Sequence, residues 1–247
     1  MFRISLCDTV IEVDNRFDFV HRLCRNYEYD GTAPTAFRVR ATADEVNRYR
    51  ASVGRVMTDG EAESYILYRH ICGRMPAYGA YLLHASAVMV EEADGCVRGY
   101  AFSARCGGGK TTHTTLWESH FADNAHLKVS VTVLNGDKPL VKRDAHGHMT
   151  LWGTPWCGKE GKQTNAHAPL SAICFLEKAS ENRISSCDAA GTAARILEAT
   201  MLPPTSALQD AMAALVGATV RDVPAFVLAC RPDVGAVQMA HDILSKA

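Results

Sequence analysis

The run Ala104-Arg105-Cys106-Gly107-Gly108-Gly109-Lys110-Thr111 is the part of this sequence best suited to hold an anion. It fits the phosphate-loop pattern G-x-x-x-x-G-K-[ST] everywhere except the first position, which is alanine. Glycines let successive backbone N–H groups turn toward one point and let the chain approach closely. A helix opening near Lys110 would add its unpaired N–H groups and the positive end of its dipole. Lys110 is long enough to reach the β- and γ-phosphates, and the Thr111 hydroxyl is a hard oxygen ligand suited to Mg²⁺. The binding positions are therefore Arg105, Cys106, Gly107, Gly108, Gly109, Lys110, Thr111 and Thr112, with ATP and Mg²⁺ as cofactors. The plain alternative is a glycine-rich strand-to-helix turn with no ligand.

A second metal ligand is expected at Asp137, which follows the apolar run LKVSVTVL. A carboxylate at a strand's C-terminal end beside such a loop is well placed to share the cation with Thr111, although Asp is also a common turn former. His84 lies in an apolar run read as a strand. It is either a satisfied core residue or a group that polarises Asp137 or a substrate hydroxyl. Lys159 sits in GTPWCGKEG, either in an exposed turn beside a packed Trp156 or in a loop that stabilises charge on a transferring phosphate. Asn165 is a weaker candidate for orienting that loop. Arg105 faces a phosphate or solvent. Cys106 reads as a tolerated small residue and His113 as a packing residue. His146 and His148, in DAHGH, read as a solvated turn with no third ligand nearby.

The composition narrows the setting. Of 247 residues, 47% are apolar, so a sizeable core can form. The formal net charge is -1, which gives no global field to draw nucleic acid or an anionic membrane. Neither is expected as a partner, and any anion must be held locally. The cysteines number nine, an odd count with no C-x-x-C pair, which argues against a zinc ribbon or a disulfide framework. With acids at Asp8 and Glu12 and no long apolar run, a cytoplasmic protein is expected.

The elements that must position these residues follow from periodicity. FRISLCDTVIEV alternates like one half-buried strand, and TAFRVRA resembles another. FDFVHRLCRNY and EAESYILYRHICGRM have helical spacing. TADEVNRYRASV opens with a capping-box pattern, Thr42 and Glu45. YLLHASAVMVEEADGCVRGYAFSA reads as two strands joined by EEADG. KTTHTTLWESHF is expected to be a helix with Leu116 and Trp117 inward. A strand over LKVSVTVL, a hairpin over PLVKRDAHGHMTLWG and a strand over APLSAICFLEK follow. Two helices, a strand over VPAFVLAC and a last helix complete the chain.

In this order, LLHASAV, FSARCGGGKTTHTTLW, LNGDKPL and WGTPWCGKEG resemble the C-terminal domain of HPr serine kinase/phosphorylase and small HPr kinase-related proteins with an N-terminal extension. The motif-level similarity runs from about Tyr81 to Leu176. It implies an α/β, mixed α+β fold: a P-loop, phosphoenolpyruvate carboxykinase-like core over residues 76–247, with an α+β extension over residues 1–75. It also implies paired acids after the strand that follows the loop, one a general base and one a Mg²⁺ ligand. These fall on Gly136 and Asp137, so one acid is missing. His84 matches a histidine that helps set up the acidic centre. The implied activity is ATP-dependent phosphoryl transfer to a hydroxyl of a protein serine, a peptide or a small molecule, by Lys110, Asp137, His84 and Lys159. A homo-oligomer follows from the resemblance alone. A non-catalytic ATP-binding regulatory module is the alternative that Gly136 favours. A carboxykinase is disfavoured, because the chain is short for that enzyme's substrate domain.

Overall fold

The computed structural model describes residues 1–247. The N-terminal sheet has three strands, β1 (Phe2–Leu6), β2 (Thr9–Asp14) and β3 (Phe37–Arg40). The run expected to be one strand is thus a hairpin. Cys7 (φ 49) and Asp8 (φ 55) are both left-handed, as a two-residue turn matching strand twist requires. Across the turn the core-facing set passes from even positions in β1 (Ile4, Leu6) to odd positions in β2 (Thr9, Ile11, Val13). Three helices, α1 (Asp18–Cys24), α2 (Ala43–Ser52) and α3 (Asp59–Arg74), complete this part. The capping box of Thr42 and Glu45 opens α2, and Thr58 with Glu61 makes a second one for α3. Helix α1 has no such local cap. The fully buried Glu63 of α3 supplies acceptors instead, to the N–H groups of Arg16 (2.8 Å) and Phe17 (3.0 Å).

The remaining strands are β4 (Ala80–Leu82), β5 (Ala85–Glu91), β6 (Val97–Ser103), β7 (Ser130–Asn135), β8 (Leu140–Arg143), β9 (Met149–Trp152), β10 (His167–Lys178), β11 (Arg183–Ser186) and β12 (Ala225–Cys230). They form one nine-stranded sheet. It forks at β10, whose first residues pair with β9 and whose later residues lie between β6 and β12. The polar stretch RISS carries little periodicity and was not expected to be a strand; as β11 it covers the edge of β12. The mixed α+β architecture curls around this fork.

Period-two alternation sorts the core. Val88, Val90, Tyr100 and Phe102 face helices α4 (Lys110–Asp123) and α7 (Val234–Leu244), where Trp117, Phe121, Val237 and Leu244 complete one cluster. Ala87 and Ala101 point the other way, toward α5 (Ala189–Glu198) and α6 (Ser206–Asp222). Leu116 is only partly buried. The N-terminal residues pack on the larger sheet: Leu82 and Leu140 share their cluster, and Lys142 Nζ donates to Cys7 O at 2.5 Å. No helix is long and apolar enough to cross a membrane.

Trp117 anchors α4 against Tyr100 and Phe102, with ring centroids 5.6 and 5.4 Å apart. Trp117→Ala removes a fully buried side chain and is expected to cost about 3–5 kcal/mol in urea unfolding. A loss under about 1 kcal/mol would contradict this packing.

Candidate functional site

Strand β6 ends at Ser103, and the glycine-rich loop leads straight into α4. Gly107 (φ 73) and Gly109 (φ 99) are left-handed, a conformation that strains any other residue, and a Cβ at either would meet open space. Helix α4 has Gly109 as its N-cap and no side-chain cap. The backbone N–H groups of Cys106, Gly107, Gly109, Lys110, Thr111 and Thr112 donate to no carbonyl. A helix start left uncapped beside an open loop is a ready anion cradle. The chain therefore folds here into the shape the motif requires, with its donors unspent.

Three of the expected residues converge beside this loop. Lys110 Nζ lies 3.0 Å from His84 Nε2 and 3.7 Å from Asp137 Oδ1. His84 Nε2 is also 3.1 Å from Asp137 Oδ1. With one proton, Nε2 either donates to the carboxylate or accepts from the ammonium. Lys110 additionally donates to Ala104 O at 3.3 Å. It is 7% exposed, and burial pulls its pKa below the usual lysine value against the opposing charge of Asp137. For Asp137 burial alone would raise the pKa. Hydrogen bonds from His84 and Lys138 outweigh it and hold the carboxyl far below the carboxylate range.

His84 does not sit in a strand as expected. It joins β4 to β5: its N–H donates to Ala199 O (2.6 Å) and its C=O accepts from Ser103 Oγ (3.1 Å). Those two bonds replace the sheet ladder and fix the histidine at the end of β6. Asp137 is fixed by Asn135, whose Oδ1 accepts from the N–H groups of Asp137 (2.8 Å) and Lys138 (2.6 Å). Asn135 is fully buried, and its Nδ2 donates to Thr154 O (2.9 Å), Thr154 Oγ1 (3.0 Å) and Trp156 O (3.3 Å). Sequence reasoning missed Asn135 and Lys138; the polar residue ending an apolar run was the one available signal for the former.

The other candidates fall elsewhere. Lys159 is exposed at the tip of the turn between Gly158 and Gly161, outside the cluster. Lys138 is the second lysine that meets the cluster, ion-paired to Asp137 Oδ2. The turn itself does lie against Asp137, since a Cβ on Gly158 would come within 3.2 Å of Asp137 Cβ. Lys162 beside it pairs with Glu118 of α4. Arg105 is 94% exposed and faces Glu198 at 4.0 Å. Cys106 and Thr112 are exposed, and Thr111 is half-buried. Asn165 does not orient this loop; its Nδ2 donates to Asn26 O at 2.7 Å. His113 is buried, accepts from Trp117 Nε1 (3.0 Å) and is pushed down to about 4 by burial, so it is a neutral core group. His146 and His148 are exposed around Asp144.

Gly136 explains its own identity. A Cβ there would lie 2.6 Å from Cys157 O, so no acid fits beside Asp137 without moving the backbone. No group of three His, Cys, Asp or Glu side chains converges as a metal site. Of the two residues expected to hold a cation, Asp137 stands in the cluster and Thr111 lies half-buried in the first turn of α4. The loop also separates two clefts of about 490 and 800 Å³, sizes typical of small-molecule sites. The smaller reaches Lys178 and Arg231, and the larger reaches His84 and Arg195.

Two outcomes follow from this geometry. Gly136→Asp is expected to lose about 1–3 kcal/mol of stability by overpacking, with no gain in phosphoryl transfer; a stable, more active variant would refute the close approach of Cys157. Asp137 has a folded-state pKa below its unfolded one. Its contribution is therefore full above the ordinary carboxylate value of about 4 and fades as pH falls through the lower folded value. Urea midpoints for Asp137→Asn should lie below wild type at neutral pH and approach it in strong acid. A gap independent of pH would remove the ion cluster as its cause.

Among solved structures, the chain is similar to one described as the Hpr(Ser) kinase/phosphatase from Coxiella burnetii, at 11% identity and a TM-score of 0.28, with 55% of this chain and 93% of that chain covered. No family model and no curated protein matches.

Proposed function

We propose that this protein is an ATP- and Mg²⁺-dependent phosphotransferase that moves the γ-phosphate to a hydroxyl. The observation that carries the reading is the meeting of Lys110, His84 and Asp137 at the mouth of a loop whose amides are unpaired. On this reading residues 76–247 are an HPr kinase-like, P-loop nucleotide-binding domain, and residues 1–75 are an extension packed on it.

The loop amides from Cys106 to Thr112 and the Lys110 ammonium hold the phosphates. Thr111 and Asp137 would hold Mg²⁺, which neutralises charge on the β- and γ-phosphates when bound. Lys110 is close enough to His84 and Asp137 that phosphate binding draws it away from them. His84 Nε2–H then donates to Asp137 Oδ1, and Asp137 takes the proton of an acceptor hydroxyl in competition with Lys138 on its Oδ2. Such catalysis is positioning and charge stabilisation, with little covalent work for the protein. The acceptor is a serine of a protein or peptide, or a small molecule.

A second reading, an ATP-binding regulatory module without turnover, is favoured by the absence of room for an acid at residue 136. The two part in one experiment. Radiolabel from γ-labelled ATP is followed into seryl peptides and small hydroxyl compounds, alongside melting with ATP and Mg²⁺. Transfer together with a melting shift supports the kinase, and a shift without transfer supports the module. Lys110→Ala is expected to lower transfer by about 10²-fold or more and to abolish the shift. The variant's melting without nucleotide is the baseline from which its shift is read. An unchanged ATP shift in Lys110→Ala overturns both readings.

A further inference from the structure

Consecutive side chains on extended backbone point apart. Asp137 and Lys138 nevertheless meet, because the chain turns after β7 and Asn135 Oδ1 clamps both of their N–H groups. Lys138 is held further by its carbonyl, which accepts from Thr154 Oγ1 at 2.8 Å. Its ammonium pairs with Asp137 Oδ2 and lies 6.0 Å from the centroid of the buried Tyr68 ring. The other carboxylate oxygen, Oδ1, faces His84 and Lys110. Both oxygens of the one available acid are therefore occupied by this chain's own groups. Phosphates can draw Lys110 away, but Lys138 sits on a different oxygen, pinned by its backbone and by an aromatic face.

We infer that Lys138 is the resident counter-ion of Asp137, and that a divalent cation reaches this carboxylate only by displacing it. The inference rests on the phosphotransferase reading and adds a positioning residue to it. Two ammonium groups around one carboxylate leave the empty centre cationic, which disfavours a second cation and favours an anion. The site is thereby biased toward taking metal together with phosphate rather than metal alone. Gly136 adds no acid to offset this, and Glu160, on the turn that lies against Asp137, is ion-paired to neither lysine. Lys138 thus keeps the acid neutralised in the resting protein and sets the order in which ligands arrive.

The test uses the full chain and Mn²⁺ as a paramagnetic probe, without nucleotide. Lys138→Met keeps the aliphatic stem over Tyr68 and removes the charge. It is expected to bind Mn²⁺ about tenfold or more tightly than wild type. Lys138→Arg keeps the charge and shows no gain. The double variant Lys138→Met with Asp137→Asn returns to the wild-type level. The inference is overturned if Lys138→Met binds Mn²⁺ no better than wild type, or if the gain survives loss of Asp137. Failure of the phosphotransferase reading shows separately, as no melting shift of the wild-type protein with ATP and Mn²⁺. The comparison among the variants without nucleotide decides the inference in either event.

Discussion

Asn135 is buried at the end of β7, and its amide group is used at both ends. Nδ2 reaches across to the carbonyls of Thr154 and Trp156, while Oδ1 takes the N–H groups of the two residues that follow the glycine. A buried polar group with all its partners in place acts as a rigid strut, because breaking any bond strands a donor or acceptor away from water. The direction of the chain after β7 is thus set by a side chain rather than by the sheet ladder. From that direction follow the place of Asp137, its meeting with His84 and Lys110, and the unusual pairing with its own neighbour Lys138.

The fork at β10 makes room for the site. The first residues of this strand pair with β9, and its later residues run between β6 and β12. The glycine-rich loop leaves the sheet at the end of β6, with the ends of β10 and β12 to one side and α5 to the other. Its charge is unbalanced as well: one carboxylate is shared by two ammonium groups, beside a helix start with unspent N–H groups. A buried ammonium is costly unless paired, and Lys110 is paired only with an acid that Lys138 also claims. A net positive charge of this kind attracts an anion.

Much of this was legible in the sequence where the signal is local. The dense glycines and Lys110-Thr111 specify loop and helix start within one short stretch, and the apolar run before Asp137 marks a strand end. Tertiary approach hid the rest. Gly136 reads as the loss of an acid, but the carbonyl of Cys157 excludes any side chain there. Lys159 has the composition of a functional loop, yet its side chain is exposed, and Lys138 is the lysine ion-paired to the carboxylate. The β1–β2 hairpin escaped because its left-handed turn at Cys7 and Asp8 contains no glycine to mark it, although the alternation changes phase there. His84 was read as a strand residue because its neighbours are apolar; its backbone bonds go to Ala199 and Ser103 instead.

The N-terminal helix α3 belongs to the same construction. It carries Ser64 and Tyr68 on its buried side. Ser64 Oγ accepts from Trp156 Nε1 at 3.1 Å, and the Tyr68 ring lies 5.4 Å from that of Trp156. The carbonyl of Trp156 is in turn one of the acceptors for Asn135 Nδ2. A continuous path of packed rings and hydrogen bonds thus runs from α3, through Trp156 and Asn135, to the backbone of Asp137, with a branch from Tyr68 to Lys138. Residues before position 76 therefore do more than cover the edge of a sheet. They supply the aromatic face on which the counter-ion rests and one end of the strut that aims the carboxylate, so the geometry of the acid depends on a helix distant from it in sequence.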